Sequence, residues 1–176
     1  MGDDSPGELR TDRLVLEPLT VEHAEEMVVV LADADLYGFI GGAPPDLDEL
    51  VDRYERQTRG SGRSGERWCN WIMRRSDVGA AIGYVQATVT GDTADVAWVV
   101  GLPHQGQGFA SEATTAMVGW LTEHGVGRVT AHVAPAHVRS ARVAASVGLE
   151  RTGAVDDDGE EVWASATQPS GARPAT

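Results

Sequence analysis

The residues most suggestive of chemistry lie in one glycine-rich segment, residues 105–110, which reads Gln-Gly-Gln-Gly-Phe-Ala. A predicted strand ends just before it at Val100, and an amphipathic helix is predicted from about Phe109 to His124. Glycines let a backbone approach a ligand closely, and the first turn of a helix has unpaired N–H groups at its positive end. The segment is therefore suited to bind a pyrophosphate, although a tight turn without a ligand would use the same residue types.

Other cofactor and metal motifs are excluded by their spacing. The segment is not Gly-x-Gly-x-x-Gly followed about 20 positions later by an acidic residue, as a dinucleotide-binding fold requires, and the chain has no Gly-Lys-Ser/Thr. The lone Cys69 cannot form an internal disulfide, and no Cys/His pairs have zinc-like spacing. We therefore predict no metal, and a structural role for Cys69.

A second segment, residues 135–143, reads Pro-Ala-His-Val-Arg-Ser-Ala-Arg-Val and is followed by Gly148-Leu149. Residues 105–110 look like the phosphate loop of the GNAT superfamily of N-acetyltransferases, Arg/Gln-x-x-Gly-x-Gly/Ala, and the second segment resembles that family's Asn-x-x-Ser/Ala…Gly-Phe motif. Residues 11–19 are similar to the first strand of the branch that contains ribosomal-protein N-terminal acetyltransferases. The resemblance covers roughly residues 10–164.

The resemblance implies an α/β GNAT fold, a mixed, mostly antiparallel central sheet flanked by helices. It implies direct transfer of an acetyl group from acetyl-coenzyme A to a primary amine of a small molecule or a peptide N-terminus. The residues expected to contact the cofactor are Trp98, Val99, Val100, Gln105, Gly106, Gln107, Gly108, Phe109, Ala110, His137, Ser140 and Arg142.

Two positions depart from the family's pattern. His137 stands where the family usually has Asn, and Ala144 stands where many members have a tyrosine that protonates the departing thiolate. Ser140 or a bound water is the expected proton donor instead. Asp95 occupies a strand position where related proteins often carry Glu, which makes it the first candidate for the base; the alternative is a strand-end aspartate that faces water.

Three further residues are candidates for binding the acceptor amine. Glu112 lies in the first turn of the predicted helix, where an acidic residue either complements the helix dipole or, in the resembling branch, approaches the acceptor. Asn70 and Gln86 are polar residues in apolar strands, which either face solvent or line a cleft.

The elements that must position these residues follow a β-α-α-β-β-β-α-β-α-β-β order. Short turns separate the strands predicted at 67–74, 80–90 and 94–100, which indicates an antiparallel arrangement. The helix at 109–124 connects 94–100 to a strand at 128–133, which gives a crossover. A helix at 140–147 and a hairpin of 149–155 with 161–164 complete the chain.

The 176-residue chain fits one domain, residues 10–164, between a flexible tail at 1–9 and a disordered tail at 165–176. Its 14 basic and 27 acidic residues give a net charge of −13, which argues against nucleic acid as a partner. The acidic surface either serves solubility or attracts a cationic acceptor. No stretch is apolar enough to span a membrane, so a cytoplasmic protein is expected. The resemblance leaves a homodimer open.

Two other functions are compatible with the sequence. A coenzyme A-binding sensor or scaffold without turnover is consistent with Ala144 and His137 at the two departures. An acyltransferase that uses a longer acyl-coenzyme A would have the same phosphate loop.

Overall fold

The computed structural model describes residues 6–166, and within them a single sheet of eight strands forms the centre of the fold. The strand order is β1-β2-β3-β4-β5-β6-β8-β7. Only β5 and β6 are parallel neighbours; the remaining neighbouring pairs are antiparallel. The predicted mixed, mostly antiparallel α/β sheet is confirmed. The strands are β1 (Leu9–Arg10), β2 (Leu14–Pro18), β3 (Glu66–Arg75), β4 (Ala81–Thr90), β5 (Thr93–Val100), β6 (Arg128–Val133), β7 (Glu150–Val155) and β8 (Glu161–Ala164).

Helices cover both faces of this sheet. The longest is α4, which connects the parallel strands β5 and β6. A capping box of Asp46 and Glu49 starts α3, because each side chain accepts a hydrogen bond from the other's backbone N–H. No helix in residues 6–166 is long and apolar enough to cross a membrane. The helices are α1 (Ala24–Val30), α2 (Tyr37–Ile40), α3 (Leu47–Arg59), α4 (Phe109–Glu123) and α5 (Val138–Ser146).

Two hydrophobic clusters attach the helices to opposite faces of the sheet. Successive residues of a strand point to opposite faces, so Trp71 of β3 belongs to the cluster that contains Met117 of α4, whereas Ile72 belongs to the one that contains Leu50 of α3. The face covered by α1 and α3 is called the α3 face below.

The sheet splits between β5 and β6. The two strands pair only from Thr93 to Asp95 on β5 and from Arg128 to Thr130 on β6, although β5 continues to Val100. On its other side, β5 pairs with β4 along its whole length. The β6-facing edge of β5 is therefore without a strand partner beyond Asp95.

Several boundaries differ from the sequence prediction. Leu9, predicted in the flexible tail, opens β1 by pairing with Leu16, and the nearby Gly7 carbonyl accepts a hydrogen bond from Trp71 Nε1 at 2.8 Å. Helix α5 begins at Val138, two residues before the predicted start, and the one-turn helix α2 was not predicted. Residues 1–5 and 167–176, which hold most of the predicted tails, lie outside the described residues.

Candidate active site

The split between β5 and β6 opens into a cleft of about 690 Å³. Its walls are the end of β5, the loop from Leu102 to Gly108, the first turn of α4, the start of α5, and the α2 segment. All residues predicted to contact the cofactor line this cleft except Gln107. The split sheet thus brings together two motifs that are 30 residues apart in the sequence.

The loop before α4 leaves the helix N-terminus open towards the cleft. Gly106 and Gly108 have φ angles of 74° and 85°, in the left-handed region that favours glycine. Gly108 is the N-cap and has no side chain to cap the helix, and the first helical hydrogen bond is Glu112 N–H to the Gly108 carbonyl at 3.0 Å. The N–H groups of residues 109–111 therefore lack intrahelical acceptors, which suits an anion.

Gln105 connects the loop to the two other walls of the cleft. Its Nε2 donates to the Val100 carbonyl at 2.9 Å, and its Oε1 accepts from Arg139 Nη1 at 2.9 Å. Arg139 and Arg142 both line the cleft and are largely exposed. They place two positive charges beside the uncapped end of α4, which makes this end of the cleft the one suited to phosphate groups.

Glu112, expected either to complement the helix dipole or to approach the acceptor, does not line the cleft. Its Oε1 accepts from the Thr11 hydroxyl at 2.6 Å and the Arg13 N–H at 2.9 Å, and its Oε2 accepts from Arg13 Nε at 2.7 Å. Burial alone would raise the pKa of Glu112, but these hydrogen bonds outweigh it and lower the pKa. Both carboxylate oxygens are occupied in joining α4 to the start of β2.

Gln107 also faces this junction. Its carbonyl accepts a hydrogen bond from Arg13 Nη1 at 3.0 Å, and its Nε2 donates to the Pro103 carbonyl at 3.2 Å. The Arg13 guanidinium lies over the Phe109 ring, 4.6 Å from its centroid. Arg13, which the sequence prediction missed, therefore supports the loop from the side opposite the cleft.

The hydrogen-bond ladder of β4 and β5 decides which backbone amides of β5 face the cleft. Gly101 N–H donates to the Ile82 carbonyl at 2.8 Å, and antiparallel partners alternate between bonded and non-bonded pairs. The N–H of Val99 is therefore directed to β4, whereas those of Trp98 and Val100 are directed to the split. Val99 lines the cleft, but its amide is not available to a ligand there.

Asp95 lies at the closed end of the split, outside the cleft lining. It is on the α3 face, where its carboxylate accepts from the Thr130 hydroxyl at 3.2 Å and lies 3.6 Å from His132 Nε2. Partial burial raises the pKa of Asp95, opposed by His132 and the Thr130 hydrogen bond. Val99 is four steps of about 3.3 Å further along the strand, about 13 Å from Asp95, so water must carry any proton between them.

His132 also belongs to the group in residues 6–166 that has metal-like spacing. His132, Asp156 and Glu160 have donor atoms within 4.8 Å of one another. His132 Nδ1 lies 2.6 Å from Asp156 Oδ2, and the other oxygen of Asp156 accepts backbone N–H groups of its own turn, which lower its pKa. These bonds account for the cluster as a contact between β6 and the turn that joins β7 to β8.

A second cavity, of about 240 Å³, lies on the α3 face between α3 and the sheet. Asn70 and Gln86, predicted to bind the acceptor, are paired across β3 and β4 and both line it. Tyr84 lines it as well and pairs across β4 and β5 with Val99, a residue of the first cleft. Each space is therefore bordered by one member of this strand pair. The cavity is lined by Leu19, Leu31, Arg53, Tyr54, Gln57, Asn70, Trp71, Ile72, Tyr84 and Gln86.

His137 connects α5 to α2 across the mouth of the first cleft. Its ring stacks on Phe39, with centroids 4.3 Å apart and planes 6° apart. Burial and the nearby Arg139 lower the pKa of His137, so the ring is mostly neutral at pH 7. A neutral imidazole can donate one hydrogen bond and accept another, as the Asn it replaces can.

The sequence contained a signal for the residues of α3 that line the second cavity and that were not predicted. Leu50, Tyr54 and Gln57 of α3 are spaced i, i+4, i+7, so Gln57 occupies a position on the buried stripe of the helix. A polar residue at such a position indicates a lined cavity rather than a core. Arg53 borders the same stripe.

Comparison with known proteins places this geometry in a family. Residues 13–150 match the model of the acetyltransferase (GNAT) domain. No curated protein sequence is significantly similar to the chain.

Solved structures show the same fold at low identity. An acetyltransferase from Agrobacterium tumefaciens is 23% identical with a TM-score of 0.73, over 95% of this chain and 98% of its own. A candidate ribosomal-protein-serine acetyltransferase from Vibrio cholerae is 18% identical with a TM-score of 0.75, over 91% and 98%. The aminoglycoside acetyltransferase AAC(6')-Ib, in complex with paromomycin and acetyl-CoA, is 20% identical with a TM-score of 0.73, over 88% and 93%.

Proposed function

Because the chain belongs to the GNAT acetyltransferase family, we propose that it transfers an acetyl group from acetyl-coenzyme A directly to a primary amine. The acceptor is a small molecule or a peptide N-terminus. The observation that carries this proposal is the split beside β5, where a free strand edge leads to an uncapped helix N-terminus.

The pyrophosphate is held at the α4 end of the cleft. The N–H groups of residues 109–111 lack acceptors in the helix, and Gly106 and Gly108 leave the backbone uncovered. Arg139 and Arg142 neutralise the phosphate charge from α5. Gln105 fixes the loop between them, because it bonds to both β5 and Arg139.

The thioester is polarised at the free edge of β5. The amides of Trp98 and Val100 are directed to the split, and the Val100 carbonyl is already occupied by Gln105. An N–H fixed by the sheet stabilises developing negative charge on an oxygen without having to reorient. Ser140, on the opposite wall, is the proposed donor of the proton that the leaving thiolate takes up.

The acceptor approaches from the α3 face through the second cavity. Asn70 and Gln86 supply uncharged polar groups, and the Tyr84–Val99 pair brings that cavity next to the first cleft. Asp95 takes the proton that the acceptor ammonium releases, through water, because it is on the same face but too distant for direct contact.

The test is an amine panel of metabolites and short peptides incubated with acetyl-coenzyme A. We expect thiol release and a product heavier by one acetyl group, detected by mass spectrometry. Parallel reactions with longer acyl-coenzyme A species test acyl-chain selectivity. Cofactor binding without thiol release for any amine would favour a sensor, and absence of binding would overturn the assignment.

A further inference from the structure

The second cavity differs in charge from the molecule as a whole. The chain has a net charge of −13, yet no carboxylate of residues 6–166 lines this cavity, and among these described residues Arg53 provides its single formal charge. The remaining polar lining consists of amides and tyrosine hydroxyls. Because its one formal charge is the Arg53 guanidinium, a water-filled cavity lined in this way attracts an anion rather than a cation.

Arg53 has no counter-ion in the structure. It is partly buried on α3, and no carboxylate of residues 6–166 forms an ion pair with it. Burial raises the pKa values of Tyr37, Tyr54 and Tyr84, and the positive charge of Arg53 opposes this rise. The pKa of Tyr84 is raised to about 12. These hydroxyls stay protonated at neutral pH and cannot neutralise the arginine.

Tyr54 has a buried hydroxyl beside this cavity. The residue is only 4% exposed, and its hydroxyl has no hydrogen-bond partner among residues 6–166. An unpaired buried hydroxyl costs free energy, so such groups usually have a partner. Tyr54 lines the same cavity as Arg53, which is the neighbouring residue on α3.

We propose that the acceptor of this enzyme is a small amine that also carries an oxyanion group, a carboxylate or a phosphate, bound by Arg53. This inference rests on the proposed acetyl transfer and specifies its substrate class. The cavity, about 240 Å³, is smaller than the roughly 300–1,000 Å³ typical of sites for drug-sized ligands. Its volume therefore suits a compact molecule such as an amino acid, with its amine towards Val99.

The substrate class changes how the acidic surface is interpreted. An amine with one carboxylate carries no net charge, and an amine with one phosphate is weakly anionic, so the −13 of the whole chain attracts neither of them at a distance. Selection then takes place inside the cavity, where Arg53 can form two parallel hydrogen bonds to a carboxylate or a phosphate. A dication without an oxyanion group would leave Arg53 unpaired.

The test compares matched acceptors. The L-amino acids, β-alanine and 4-aminobutyrate are each assayed against their primary amides, and O-phosphoethanolamine is assayed against ethanolamine. We expect kcat/KM to be higher for the oxyanion form by about tenfold or more, because hydrogen bonds to charged groups are strong. The pair with the largest ratio separates a carboxylate from a phosphate.

Substitutions of single arginines test whether Arg53 is the source of the preference for oxyanion acceptors. Arg53→Gln is expected to bring the ratio of kcat/KM for acids to that for amides to about one, by changing the acceptor KM. The KM for acetyl-coenzyme A should stay unchanged. Arg53→Lys should restore part of the acid-to-amide ratio. Arg56→Gln, on an exposed arginine of the same helix, is the matched control and should change neither KM. Arg142→Gln should raise the KM for acetyl-coenzyme A and leave the acid-to-amide ratio unchanged.

The outcomes separate this inference from the proposed function. Transfer to amides as efficient as to acids, or a ratio that persists in Arg53→Gln, would overturn the inference and leave acetyl transfer intact. If no amine is acetylated, the proposed function fails. Calorimetry of each acid and amide on the coenzyme A-loaded protein then still decides whether Arg53 selects the oxyanion.

Discussion

Arg13 and Glu112 show how a single ion pair supports the cofactor loop from outside. Arg13 bonds to Glu112 through its backbone N–H and its guanidinium, donates to the Gln107 carbonyl, and lies over Phe109. Glu112 is thereby held next to the α4 N-terminus, where a carboxylate is favoured by the helix dipole. Glu112 lines neither cavity and contacts the residues before β2 instead.

The first prediction concerns Asp95 and the pH dependence of kcat. In the proposed mechanism Asp95 is the base, and desolvation raises its pKa above the ordinary aspartate value. We therefore expect kcat to fall at a higher pH than it would with a base of ordinary aspartate pKa. Asp95→Asn should remove this acidic limb and lower kcat by about 10²–10⁴. The measurement is kcat against pH with both substrates saturating.

The neighbouring turn offers a control for Asp95. Asp92 is exposed and precedes the same strand, so Asp92→Asn should retain the wild-type profile. An Asp95→Asn enzyme with an unchanged rate and an unchanged acidic limb would show that another group accepts the proton.

At the scale of elements, the sequence predicts those whose apolar periodicity is strong. The strands at β3, β4, β5 and β6 and the helix α4 lie where alternation and the i, i+3, i+4 stripe place them, within two residues. The glycine-rich segment 105–110 and the second segment 135–143 also locate the cleft, because each precedes or begins a helix and so creates a helix N-terminus.

Elements that depend on distant contacts could not be predicted in this way. The two-residue β1 exists through pairing with β2, and α2 is held by Tyr37 Oη, which donates to the Leu31 carbonyl at 2.9 Å, and by the stack of Phe39 on His137. The direction of the Val99 amide follows from the ladder register, which sequence periodicity does not contain.

The contact between β4 and β5 gives the second prediction. A Cβ added to Gly83 would lie 2.1 Å from the Val99 carbonyl oxygen and 2.9 Å from Val100 Cα, both backbone atoms that cannot rotate away. Gly83→Ala must push β5 from β4 and should destabilise the fold by about 1–3 kcal/mol, as other overpacked sites do. It should also raise the KM for acetyl-coenzyme A, since the displaced strand carries the amides of Trp98 and Val100.

Gly119 is the matched control for this substitution. It is exposed in α4, and an added Cβ would have no neighbour within 4 Å apart from the helix itself. Gly119→Ala should therefore stabilise the protein by up to about 1 kcal/mol, the helix propensity difference. Urea unfolding with a common m-value measures both variants; a Gly83→Ala protein as stable as wild type would contradict the close approach.

At the scale of the whole molecule, the protein is acidic and has few cationic side chains. All 14 basic residues are arginines, and three of them, Arg53, Arg139 and Arg142, line the two cavities. Arg74 instead joins α1 to the sheet, because it pairs with Glu17 of β2 and Glu26 of α1. Much of the remaining surface is acidic and repels itself.

This imbalance gives the last prediction, which concerns salt. Raising NaCl from about 10 mM to about 150 mM shortens the Debye length from about 30 Å to about 8 Å, which screens the repulsion among the charges behind the net −13. The exposed ion pairs lose little, since each contributes about 0–1 kcal/mol. We therefore expect the Tm to rise with salt, by about 2–4 °C for each kcal/mol of repulsion removed.

A variant with Glu123, Glu150 and Asp157 changed to Lys provides the comparison, because these three exposed carboxylates lie outside both cavities and their reversal removes part of the repulsion. Its Tm should depend less on salt than that of the wild type in the same scanning calorimetry series. NaCl and KCl should give the same curve, because screening depends on ionic strength rather than on ion identity. A wild-type Tm that falls as salt is added would mean that ion pairs such as Arg74 with Glu17 and Glu26 outweigh the repulsion, and that the acidic excess has no cost to the fold.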